Sequence, residues 1–112
     1  MPTDISIEHF INAEEAWFWF VRSEKARAER AKASDTKSVF DRPCEPDDLF
    51  RWVKQLYEQR TLAPGHLVVM GHYGFLDRHP DPANDDEVVD YIMWTDAFGV
   101  LEPVLVDKGV VA

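Results

Sequence analysis

Asn12-Ala13-Glu14-Glu15-Ala16-Trp17-Phe18-Trp19-Phe20-Val21-Arg22 is the stretch that decides how this chain folds. Asn12 stands three residues before Glu15, the spacing of a capping box, in which two side chains serve the free amides of a helix start reciprocally. A one-turn lead-in begins near Ser6. From Ala13 to about Ala33 the strong helix formers Ala, Glu, Lys and Arg dominate, with no Gly or Pro between them. Glu24 with Arg27, and Lys25 with Glu29, sit at spacings that add weak exposed pairs.

This predicted helix has two characters. Trp17 through Val21 cover every direction round the axis, and a helix that is apolar all round is buried on all sides. Trp17 and Phe20 share a face with Phe10, Ala13 and Val21. Phe18 and Trp19 point elsewhere, about 100° and 200° round from Trp17. Covering that second side takes the chain's later elements or a second protein surface, so Phe18 and Trp19 are candidate partner-contact residues, most simply at a two-fold homodimer seam. The second half, Arg22 to Lys32, holds five basic and two acidic residues and reads as projecting into solvent.

Working outward, residues 34–46 read as a loop. Pro46 suits the first position of a second helix, with Asp47 and Asp48 where the dipole favours acids. Leu49, Trp52, Val53 and Leu56 then give a one-sided stripe, ending near Arg60. Pro64 opens a short third helix, His66 to Tyr73, with Gly74 as its left-handed terminator. The β-branched pair in Leu67-Val68-Val69-Met70 leaves a strand open over 64–74, but no second strand is present to pair with it. Asn84 and Glu87 repeat the capping-box spacing before a fourth helix whose stripe is Val88, Tyr91, Ile92, Thr95 and Phe98, running to near Gly99. Trp94, Leu101 and Leu105 extend an adjacent face, and Pro103 is expected to break or kink the helix. Lys108-Gly109 closes it, leaving an apolar tail, Val110-Val111-Ala112. The expected fold is all-α, a small bundle of about four helices in one domain over 1–112.

At 112 residues, with 46% apolar side chains, four Trp and seven Phe, the chain holds enough apolar area for one core without staples. The single cysteine, Cys44, excludes an internal disulfide and suits a reducing compartment. No stretch reads as a signal peptide, and the longest apolar run, Ala16–Val21, is far short of the roughly 20 residues of a membrane span. A soluble cytoplasmic protein is the expectation. The net charge of −9 is uneven: residues 1–60 hold ten basic and twelve acidic side chains, residues 61–112 only Arg78 and Lys108 against nine acids. Such a C-terminal half repels a phosphate backbone and attracts a basic protein. Asp85, Asp86 and Asp90 join Phe18 and Trp19 as candidate partner-binding residues.

The chemical alternatives lack material. Histidines 66, 72 and 79 lie six and seven apart, too widely spread for a zinc set. The acids from Asp77 to Glu87 fail the calcium-loop pattern, which would place Pro82 where glycine is needed and Val88 where glutamate is needed. Cys44 has no flanking nucleophile motif. No phosphate-cradling glycine loop, Gly-x-Ser-x-Gly or His-Glu-x-x-His is present. No catalytic residue, metal site or cofactor is therefore assigned, and a non-enzymatic protein-interaction module, a regulatory adaptor or inhibitor acting through aromatic and acidic surfaces, is the leading expectation. The alternative is a helix-turn-helix-like nucleic-acid-associated regulator built on helices 2 and 3, with phosphate contact from the basic half of helix 1. Its would-be reading segment, His66 to Gly74, has no Arg, Lys, Asn or Gln.

Ala13 to Arg22, Arg42-Pro43-Cys44-Glu45-Pro46-Asp47-Asp48 and Leu101-Glu102-Pro103-Val104-Leu105 together resemble small uncharacterised bacterial helical proteins. The resemblance implies a bacterial cytoplasmic origin and transfers no functional residue.

Overall fold

The computed structural model describes residues 7–29 and 42–112. Four helices account for most of them: α1 Ala13–Glu29, α2 Pro46–Glu58, α3 Pro64–Leu76 and α4 Val88–Asp107. No strand longer than an isolated bridge occurs among these residues, so the segment 64–74 is helix. The expected continuation of α1 to Ala33 and most of the predicted loop over 34–46 lie outside the described residues.

Helix α1 is the centre. It packs against α2 on one side and against the antiparallel pair α3 and α4 on the other. Asn12 Oδ1 accepts the Glu15 N–H at 2.9 Å, while Glu15 Oε1 accepts the N–H of Ile11 at 2.6 Å rather than that of Asn12. The cap therefore forms with its return bond one residue earlier than the simple box. Ala13 and Ala16 are fully buried, and Trp17 and Phe20 lie in the core beside them. The Trp17 indole N–H donates to the Met70 carbonyl of α3 at 2.8 Å. Gly74, four residues on, makes room for that indole. A Cβ there would sit 2.7 Å from Trp17 Nε1.

Gly74 is thus a packing glycine inside α3 and not its terminator. The helix continues to Leu76, and Asp77 adopts the left-handed conformation at φ 63°. Its N–H and that of Arg78 donate back to the Gly74 and Tyr73 carbonyls. A short polar side chain tolerates this conformation, and Arg22 neutralises the Asp77 carboxylate at 3.0 Å.

Helix α4 corrects the expected phase. Trp94, Ala97, Phe98, Leu101 and Leu105 are its buried residues, whereas Ile92 is 61% exposed and Val88 and Tyr91 are only half-buried. Trp52 of α2 is half-buried as well. In α4 the face that packs is the adjacent one of Trp94, Leu101 and Leu105 with Phe98, and Pro103 does not end it. The helix runs through this proline to Asp107, so Leu101 and Leu105 belong to the same face and fix its rotation. The carbonyl that proline leaves without a helical donor belongs to Gly99, and both residues are exposed to solvent, where that loss is least costly. Nor does the second capping box form. Asn84 Oδ1 accepts the Asp86 N–H, and the Glu87 carboxylate turns back to Arg78 and the Asp81 N–H.

The apolar tail is built in. Gly109 turns the chain at φ 81°, and Val110 and Val111 are buried. Phe10 N–H donates to the Val110 carbonyl and Ala112 N–H to the Phe10 carbonyl, both at 3.0 Å, a parallel bridge between Phe10 and Val111. Glu102 accepts the free N–H of Ala13 at 2.7 Å, and Glu14 accepts the Trp94 indole N–H at 2.9 Å, so carboxylates bind α1 and α4 reciprocally.

Candidate functional site

The five candidate residues fall into two environments. Phe18 and Trp19 are half-buried on the side of α1 away from Trp17. The Phe18 ring lies 5.6 Å from that of Trp94, and the Trp19 ring 5.1 Å from that of Phe10. No helical turn precedes α1 among the described residues, and Ser6 lies outside them; instead Phe10, bridged to the C-terminal tail, and α4 together cover much of the aromatic surface that the sequence left over.

Phe18 also lines an open cleft of about 610 Å³ with Asp77, Arg78, His79, Asp81, Asn84 and Glu87. The Arg78 guanidinium grips Glu87 through two bonds of 2.9 Å. That fork, with the Asp81 N–H donating to the same carboxylate, holds Glu87 down at about 2. The one cation of this loop is therefore spent on an internal pair, and it lies over the Tyr73 ring as well. Asp85 and Asp86 are exposed on the turn that follows. Asp90 is half-buried and accepts the Tyr73 hydroxyl at 2.7 Å, a bond that pushes the phenol up to about 12. Asp90 is thus engaged with α3, whereas Asp85 and Asp86 present their charge outward.

In the described part of the basic half of α1, Arg22, Arg27 and Glu29 are exposed as expected, but the cations also find partners within the fold. Arg22 pairs with Asp77, and Arg27 reaches Glu24 and Asp47 at 3.4 Å. Lys25 does not pair with Glu29 in the expected way. Its ammonium donates to the Phe75 carbonyl at 2.7 Å and lies over the Phe75 ring. These cations close the C-terminal end of α3 and the N-terminal end of α2, where cation and acid suit the dipoles.

The histidines serve separate local tasks. His66 is nearly buried. Its Nδ1 accepts the Ala63 N–H at 2.9 Å, so Nε2 carries the proton and donates to Asp96 Oδ2 at 2.6 Å. His79 lies next to the Pro80 carbonyl. Among the described residues no three metal-ligating side chains converge. The Cys44 thiol is pushed up to about 11 by burial and by Asp48 and Glu45, which keeps it protonated at neutral pH and poorly nucleophilic.

Sequence reasoning missed the outer face of the α3/α4 pair. On α3, Val68 and His72 are exposed, with Phe75 also exposed but under Lys25 of α1, and on α4, Val89, Ile92, Asp96 and Val106. Neither helix contains a Lys or Arg. The available signal was the lack of any polar stripe on α3, together with residues 89, 92, 96, 99, 103 and 106 at alternating spacings of three and four. No described helix is long and apolar enough to cross a membrane. Comparison with family models, curated proteins and solved structures finds no match to this chain.

Proposed function

We propose that this chain is a non-enzymatic protein-interaction module, acting as an adaptor or inhibitor in the cytoplasm and taking a basic protein partner on apolar and acidic surface. One observation carries the reading. The helices α3 and α4 expose large apolar side chains and carboxylates, yet contain no cation, and Arg78 between them is consumed by Glu87. A surface of that kind attracts basic proteins and disfavours nucleic acid. A single cysteine, Cys44, accords with a reducing compartment.

The helix-turn-helix alternative has less to draw on. Arg22, Lys25 and Arg27 already have partners within the fold, and the exposed side of α3 offers Val68, His72 and Phe75. The test is capture of partners from the native host by the immobilised full chain, with mass spectrometry, beside an electrophoretic shift on duplex DNA and RNA. A reproducible basic partner, released by salt, and no shift at micromolar protein is the expected pair of results. Salt-dependent nucleic-acid binding at micromolar or tighter affinity would overturn the reading in favour of the alternative.

A further inference from the structure

Resting on that reading, we infer that the docking face is the outer surface of the α3/α4 pair, and that its occupant is a basic amphipathic helix. The bonds His66–Asp96 and Tyr73–Asp90 set the two helices antiparallel, and Trp17 and the buried residues of α3 and α4 turn their inner sides to α1. Helical spacing then brings Val68 and His72 of α3 alongside Val89, Ile92 and Asp96 of α4 on the side opposite α1. Val68, Val89 and Ile92 are 70%, 69% and 61% exposed, an uncommonly open set of β-branched residues on two adjoining helices. Nothing in the described chain covers them.

Charge selects the occupant. The apolar centre is bounded by Asp96 and Asp107 on α4 and by Asp85 and Asp86 at its start, all exposed, and neither helix supplies a cation. A second copy of this face would set acid against acid, whereas a helix with an apolar stripe edged by Lys or Arg satisfies both features. The 13 residues of α3 make the face about 20 Å long, enough for about four turns of partner helix.

The test uses a fluorescein-labelled synthetic helix of about 18 residues, leucine on one face and lysine on the other, with a matched peptide carrying glutamate for lysine. Fluorescence anisotropy on the full chain should show the lysine peptide binding and the glutamate peptide weaker by at least about tenfold. Ile92→Lys and Val68→Lys should each weaken the lysine peptide by about tenfold or more, with unchanged circular dichroism, and Tyr57→Lys on α2 should not. Both substituted side chains are mostly in solvent, so the fold should tolerate them. Equal binding by parent and Ile92→Lys would overturn the location while leaving the interaction-module reading intact. Absence of binding by the parent would overturn the basic-helix occupant. Sedimentation of the parent as a dimer that Ile92→Lys dissociates would assign the face to a second copy and equally overturn it. Failure of partner capture from the host bears on the module reading alone.

Discussion

At the residue scale, two side-chain arrangements make the sharpest predictions. Glu87 is held at about 2 by Arg78 and by the Asp81 amide, against an ordinary 4.5. A carboxylate whose folded value is depressed adds stability that is present above the unfolded value and disappears as pH falls through the folded one. Parent stability should therefore fall between about pH 4.5 and 2, and Glu87→Gln should flatten that part of a urea-denaturation series against pH. Gly74 is the second. The Cβ of an alanine would meet Trp17 Nε1 at 2.7 Å and Val21 Cγ2 at 3.0 Å, one of them the donor of a buried hydrogen bond. Gly74→Ala should cost about 1–3 kcal/mol by overpacking, despite the better helix propensity of alanine, read from the denaturation midpoint. Neither effect was legible in the sequence, because each depends on which distant residue arrives.

At the scale of elements, existence and type were legible. So was the phase of α1 and α2, with Leu49, Val53 and Leu56 buried as their stripe implied, but not that of α4. Pro46 and Pro64 open α2 and α3 as their residues suggested, and Asn12 with Glu15 caps α1. The error lay where a strong local rule met tertiary packing. Proline interrupts helices in isolation, yet here Leu101 and Leu105 are fully buried on either side of Pro103 and hold the helix through it. Reading the stripe as Val88, Tyr91, Ile92, Thr95 and Phe98 put Ile92 in the core, whereas the adjacent face of Trp94, Leu101 and Leu105 is the one that packs. The α3/α4 outer face was hidden for the same reason, since its boundary depends on the rotation of α4. Pro103 is exposed. Pro103→Ala should restore the missing hydrogen bond and raise stability by about 1–3 kcal/mol, seen as a higher urea midpoint with unchanged slope.

At the scale of the whole molecule, α1 is a beam with α2 on one flank and the α3/α4 pair on the other, and its all-round aromatic girdle follows from that position. Phe10, the tail and Trp94 cover much of the second side of the girdle from within, leaving Phe18 and Trp19 half-buried. Trp19→Glu should then lower the thermal midpoint with no change of mass in light scattering. A well-folded variant of altered mass would return Trp19 to a subunit seam. The closure itself has a mechanical side. Phe10 and Val111 run parallel, so tension between the chain before Phe10 and the chain at Ala112 drags them in opposite directions along their lengths. Both 3.0 Å hydrogen bonds then bear load together, in shear, and neither can be peeled before the other. Because Phe10 is wholly enclosed by side chains, the latch slips only when the bundle's end opens with it. A pull on the two flanks is thus resisted first by the clasp and only then by the helices.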